Sequence, residues 1–452
     1  MALKQMDALA ALREAAGEVI ETSLCDVQGN WLALVNAEEG KRLAFAANGE
    51  AALSALWKDV EKEADVKDVH VSVMALNANN AALVRRYVKW TAPTACGTKG
   101  ASIGFSDWLG EADAVVAELF GKRQLKPVLV DFTTEDSEAL QRYFVQAVDT
   151  VTWGVLEEGY KEGYGANAAG LKTEEEIVKA LLYGYSMIGF DCSDKIDLGI
   201  EKLSDEAVDK RFEQFNETFR AALHASYLNA EFKVGTSKIT FTENQLHRIV
   251  LEYGEAIMHI QFIYNSYLKN TPWDIDFELD LSKPGKVLTP QEHYLIGNEL
   301  QRNGIKLSSI CLDPLKDSEA VNDTLQLHCE IADTFGYRLS FKNADIAMND
   351  TAAAMKYLKG KVHFKMNNIL WMSAIELVKA LDADLFGKLC AACGCEATAD
   401  AADRALVLGY RKALNPKEES NVAADMKAFL EAHHAEYAAS IKENVAAKLK
   451  NI

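Results

Sequence analysis

The chain has 452 residues, 49% of them hydrophobic, and a formal net charge of -19 at pH 7. That size supports two or three units of ~150 residues, or one barrel of ~250 residues with attachments. The acidic balance argues against nucleic-acid backbones and anionic membranes as partners, and no run approaches the ~18 apolar residues of a membrane span, so a small-molecule protein is the expectation.

The opening MALKQMDALAALREAAG has neither a basic start nor an apolar signal core, and the eight cysteines are scattered, which together predict reduced thiols in a cytoplasm. Residues 1–95 read as a small α+β module, with WLALV and VHVSVMAL as strands and AALSALWKDVEKEA as a helix. Over residues 96–370, short β-like runs alternate with long amphipathic helical patterns, as βα units around a parallel sheet do. The runs are ASIGFSD, KPVLVDF, YGANAAG, SMIGFDC, IDFELDL, KLSSICL, YRLSF and KVHFK. Between them lie helical patterns such as TEEEIVKALLYGY, TENQLHRIVLEYGEAIMHIQFIYNSYL and TPQEHYLIGNELQRNG. The predicted fold is an α/β (β/α)8 TIM-like barrel with an N-terminal α+β extension and a helical C-terminal extension over 371–452. In that tail Phe429, Leu430 and Tyr437 recur at helical spacing, which predicts packed or partner-binding helix.

Strand parity separates the two faces, because the outside of a barrel must be apolar to meet its helices. In DIDFELDLS, Ile275, Phe277, Leu279 and Leu281 take the outer face and Asp276, Glu278, Asp280 and Ser282 the inner one. The same rule turns His363, Lys365, Ser340, Lys342 and Asp191 inward. Active sites of such barrels lie at the C-terminal strand ends, so Asp191, Asp280, Ser282, Lys342 and Lys365 form the candidate pocket wall. The same residues read equally well as a structural network of acids paired with lysines.

Several landmarks run in a recognisable order over roughly residues 93 to 380: SIGFSDWLG, TWGVLEEGY, GYGANAAGLKT, GYSMIGFDCSD, YGEAIMHI, DFELDLS, TPQEHYLIGNEL, LQLHCEIADTFGYRLSF and VHFK. Together they resemble the tagaturonate epimerases, metal-dependent enzymes that invert one carbon of a keto-sugar acid. The resemblance implies a TIM-like barrel, a ketouronate substrate and a divalent metal. Epimerisation beside a carbonyl needs a base, a group to return the proton on the other face, and an electrophile for the enolate oxygen, which a metal can supply. The family is expected to carry an Asp and a His where this chain has Ala169 and Gly170, and an Asp-Glu pair where Ser282 and Lys283 stand. It is expected to carry His at Lys342 and Lys195, Arg at Trp108, and a Gln-rich, Arg-containing segment at DFTTED. Retained family positions are Asp107, Glu158, Lys172, Asp191, Ser193, Asp194, His293, His328 and Lys365.

The expected catalytic residues are therefore Lys342, Lys365, Asp191 and Asp280, with Asp107, Asn167, Lys172, Ser282 and Asn343 binding substrate and no metal ligand set or cofactor. Lys342 or Lys365 would bind a carboxylate or phosphate, or form a Schiff base with a keto group. Three readings stay open: an enzyme on a sugar acid or related keto-acid with altered chemistry, a catalytically inactive paralogue with a ligand-binding, regulatory or structural role, and the tagaturonate epimerase activity that the resemblance implies. The expected partner is a small-molecule sugar acid; the sequence gives no oligomeric state. His293 and His328 read as satisfied core or surface histidines. Cys390, Cys393 and Cys395 read as an Ala-rich helix end broken at Gly394, since no second cysteine pair or nearby histidine completes a zinc set.

Overall fold

Glycines and short polar turns divide the first 75 positions into five strands: Glu18–Val27 (β1), Asn30–Ala37 (β2), Gly40–Asn48 (β3), Val60–Val66 (β4) and Val69–Met74 (β5). They form an antiparallel sheet in the order β1-β2-β3-β5-β4. The computed structural model describes residues 2–38, 40–49, 54–121, 125–281, 288–313, 318–348, 351–450 and 452, apart from the side chains of 318–323 and 351–353. The helix expected over AALSALWKDVEKEA is not formed within the described residues: Ser54–Leu56 makes one 3-10 turn, Asp59 turns the backbone left-handed (φ 52°), and β4 follows. The pattern misleads because β4 is an edge strand, where solvent accepts charged side chains at both parities.

One face of this sheet packs under the helix Gln5–Ala16, where Ala8, Ala11 and Leu12 meet Val35, Ala44 and Val71. The other face, with Leu34, Phe45 and Met74, packs toward Val84 and Leu156. Leu156 belongs to TWGVLEEGY, on the helix Phe144–Glu158, and the glycines of that motif explain its shape. A Cβ on Gly159 (φ +62°) would stand 2.5 Å from the Thr22 carbonyl oxygen, and one on Gly154 would stand 2.8 Å from the Ala114 nitrogen. Lys41 adds an ion pair to Glu157 at 2.6 Å. The motif is thus a joint between barrel and N-terminal sheet.

The eight runs read as strands all pair in parallel. They are Ser102–Phe105 (β6), Lys126–Thr133 (β7), Gly165–Leu171 (β8) and Met187–Asp191 (β9), then, after the hairpin Phe232–Val234 (β10) and Ser237–Ile239 (β11), Asp276–Asp280 (β12), Ser309–Leu312 (β13), Arg338–Phe341 (β14) and Val362–Met366 (β15). The barrel closes as β6-β7-β8-β9-β12-β13-β14-β15 and back to β6. Phe277, Leu279, Leu339, Phe341, Val362 and Phe364 are buried among the helices, as parity requires. Thr173, Thr242 and Thr289 start their helices with reciprocal capping boxes to Glu176, Gln245 and Glu292, and Pro290 takes the first turn of the last.

The C-terminal helices share the barrel's core rather than forming one of their own. Trp371, Ile375, Leu389, Leu406, Met426, Ile441 and Val445 join the same buried cluster as Ile103 and Phe341. The helix Ala383–Cys393 ends at Gly394 with φ +77°, as read from the sequence. All eight cysteines are free. Among the described residues, no helix is long and apolar enough to cross a membrane.

Candidate functional site

A cavity of about 620 Å3 opens at the C-terminal ends of the strands. Its floor is a network of opposite charges. The Lys365 ammonium lies 2.5 Å from Glu278 Oε1 and 3.7 Å from Asp131 Oδ1, and all three side chains are at most 3% exposed. Ser309 donates to the second Glu278 oxygen at 2.8 Å, and Asn167 Nδ2 donates to Asp131 at 2.9 Å. Gly104 makes room for this network, since a Cβ there would stand 2.5 Å from Asp131 Oδ2. Beside it Lys342, from the end of β14, pairs with Asp280.

Burial and pairing set the protonation states in opposite directions. Burial favours a neutral amine at Lys365, but Asp131 and Glu278 outweigh it and hold the ammonium well above the usual lysine range. Lys342 is likewise held up against burial by Asp280. Both lysines stay charged near neutral pH and are poor nucleophiles, which weighs against the Schiff-base route. Burial pushes Asp131 above the ordinary carboxylate range. Burial also pushes Glu278 upward, yet Lys365 and His363 together bring it below that range. Two neighbouring carboxylates are thereby split, one toward the acid and one toward the base.

The rim comes from further away. Tyr410, in the C-terminal helical region, stacks on Trp108 with ring centroids 3.3 Å apart and donates to Asp136 at 2.5 Å. Arg411 pairs with Asp136 at 2.8 Å and Glu135 at 2.5 Å. On the opposite wall Lys172 lies between Asp194 (3.0 Å) and Asp191 (3.6 Å). Ala169 and Gly170 also face the cavity; Gly170 has φ +71°, where a residue with a side chain is strained. Nine carboxylates face four cations in the described lining, so an anionic ligand must meet cations that already have partners.

Of the residues singled out in the sequence, Lys342, Lys365, Asp191, Asp280, Lys172 and Asn343 line this one cavity. Asp107 and Asn167 do not. The Asp107 carboxylate accepts from the Gly110 and Ala112 amides at 2.8 and 2.7 Å, shaping the loop after β6. Asn167 is fully buried beneath the floor, bracing Asp131. Ser282 lies outside the described residues. His293 and His328 form a core pair, 2.9 Å apart, with the Tyr337 hydroxyl 2.8 Å from His293. Sequence reasoning passed over Asp131, although the alternation in KPVLVDF turns it inward. Nothing local could have found Tyr410 and Arg411, which reach the rim from more than 270 positions beyond Asp136.

The described lining does not fit the divalent metal that the resemblance implies. It contains no histidine. The nearest, His363, lies under the floor fully buried, its proton affinity pushed down to about 3 chiefly by burial. The floor carboxylates are instead engaged by ammonium groups, Lys365 with Glu278 and Asp131, and Lys342 with Asp280.

Comparison with known proteins follows the same outline. The family profile described as tagaturonate epimerase matches residues 20–436. The tagaturonate/fructuronate epimerase of Thermotoga maritima is 27% identical over 383 residues, covering 82% of this chain and 78% of that one. The glycerol-complexed crystal structure of fructuronate-tagaturonate epimerase from Cohnella laeviribosi superimposes with a TM-score of 0.85 at 24% identity, over 99% of both chains. The native crystal structure of the same enzyme gives 0.84.

Proposed function

The chain belongs to the tagaturonate epimerase family, and from that premise we propose that its strand-end cavity takes a keto-sugar acid of the hexuronate class and works on it with fixed ammonium charges. The observation that carries this reading is the pair of lysines, Lys365 buried and Lys342 partly buried, held charged at the cavity floor. Inverting one carbon of a keto-sugar passes through an oxyanion, whether a proton or a carbon–carbon bond is given up. A preorganised positive charge in a water-poor site stabilises that oxyanion. Lys342 and Lys365 supply the charge. Asp191 and Asp280, side by side at the ends of the adjacent strands β9 and β12, accept and return a proton. Lys172 and Arg411 hold the outer, carboxylate end of the ligand, and Asn343 its hydroxyls.

A second reading, binding without turnover, is favoured by Ala169 and Gly170, which bring no proton donor to the cavity wall. One experiment separates the two. Chelator-treated protein is incubated with tagaturonate, fructuronate is followed by NMR, and thermal stability is measured with each sugar acid. Interconversion that survives chelation supports the lysine-based enzyme. Stabilisation by the sugar acids without interconversion supports binding alone. Interconversion only after a divalent metal is restored sinks the lysine assignment, and no response to either sugar acid sinks both readings.

A further inference from the structure

Away from the barrel mouth, the segment between β9 and β12 folds into three helices: Asp205–Phe212, Glu217–Tyr227 and Glu243–Ile263. Where they meet, the His224 and His247 rings point the same nitrogen at each other, Nε2 to Nε2, at 2.9 Å. The Glu243 carboxylate stands one helical turn before His247, and one ligand atom from each of the three residues lies within 4.8 Å of the others. The geometry points to a site for a divalent transition metal of the zinc type, held by His224, Glu243 and His247, and unconnected with the cavity chemistry.

Three features distinguish this cluster from a chance meeting of polar side chains. Asp209 Oδ1 lies 2.7 Å from His247 Nδ1, so a proton on Nδ1 leaves the Nε2 lone pair facing His224. A carboxylate behind a ligating imidazole is the usual means of fixing its tautomer and ring plane. Asn244 holds that Asp209 oxygen from the other side at 3.2 Å. Phe212 then stacks flat on His247, centroids 3.8 Å apart and planes 15° apart, which locks the ring. Tetrahedral coordination at about 2.0–2.1 Å from each nitrogen would place the two nitrogens about 3.3 Å apart, so an ion enters with a movement of a few tenths of an ångström. Two imidazoles and a carboxylate suit zinc better than the hard cations, which take oxygen ligands. Glu243 is exposed and His224 half-buried, which leaves the fourth position open to water and gives the ion a way in.

The long helix that carries Glu243 and His247 also packs on the turns that follow Asp191, and its Glu252 carbonyl accepts from the Asp197 amide at 3.0 Å. An ion here therefore ties the inserted helices together over the exit of β9.

Zinc binding to the chelator-treated full chain is measured by calorimetry, with cobalt absorption as a second reporter of coordination. The expected result is one equivalent that disappears in His224→Ala/Glu243→Gln, two accessible positions whose change leaves the fold intact by circular dichroism. Asp209→Asn keeps all three ligands and is expected to weaken zinc about 10–100-fold. Unchanged stoichiometry in the double variant overturns the site, because the ion would then sit elsewhere, for example on the cysteines of LCAACGCEA. The absence of saturable zinc binding to the wild-type chain overturns it as well.

Discussion

Replacing Lys365 with methionine removes the one cation that Glu278 and Asp131 share, and the cost can be worked from the geometry. At an effective dielectric near 20, the 2.5 Å contact with Glu278 amounts to about 7 kcal/mol and the 3.7 Å contact with Asp131 to about 4 kcal/mol of attraction. Desolvating the ammonium returns much of that, so the net loss expected is about 3–5 kcal/mol, the range for breaking a buried pair from one side. The loss must depend on pH. Glu278, held below the ordinary carboxylate range chiefly by Lys365 against burial, contributes stability present above its unfolded pKa and lost as pH falls through its folded value. Without Lys365, burial is opposed only by His363 and by hydroxyl donors such as Ser309, and the buried charge is relieved chiefly by protonation. The deficit of Lys365→Met is therefore largest at pH 8 and shrinks toward pH 5. Urea midpoints of variant and wild type at matched pH measure it, since a chain of this size need not unfold in a single step. Lys365→Met/Glu278→Gln is expected to recover part of the loss. A single-variant deficit below about 1 kcal/mol, or one that is flat with pH, would refute a charged Lys365 on this floor.

Gly104→Ala places a Cβ 2.5 Å from Asp131 Oδ2 and is expected to cost about 1–3 kcal/mol in thermal or urea unfolding. A smaller loss would show that the floor has slack. Tyr410→Phe removes the donor to Asp136 and should cost about 1–2 kcal/mol. Its readout is faster limited proteolysis of the C-terminal helices, and unchanged cleavage would show that the rim contact does not hold them. His328, pushed down to about 4 chiefly by burial, contributes stability that is whole above pH 6.5 and is lost as pH falls toward 4. At ~1.4 kcal/mol per unit this is about 3 kcal/mol, so His328→Gln should flatten the stability profile over that window, and an unchanged slope would count against a neutral buried His293–His328 pair.

Strand parity carried far in this chain because a closed barrel enforces it from both sides. In DFELD, helix packing demands Phe277 and Leu279, and the interior takes Glu278 and Asp280, so sequence alone separates wall from floor. Parity is silent on depth and partner. Asn167 and Asp131 are cross-strand partners inside the barrel with Lys365, yet only Asp131 faces the cavity, and Asn167 turns its amide to brace it. Charge patterning failed at β4, where an exposed edge supplies no apolar face to read. The rim was illegible for another reason: Tyr410 and Arg411 act only through tertiary contact with Trp108, Glu135 and Asp136.

That rim has a consequence for the order in which the molecule is made. The last barrel strand ends at Met366, so a nascent chain can close all eight strands and assemble the Lys365 network before Tyr410 and Arg411 leave the ribosome. For that interval the barrel is a wide funnel, with Trp108 bare and the Asp136 carboxylate short of two of its partners. The mouth narrows only when the tail folds back across it. A chain stopped before Tyr410 should thus lose its grip on whatever the finished mouth holds.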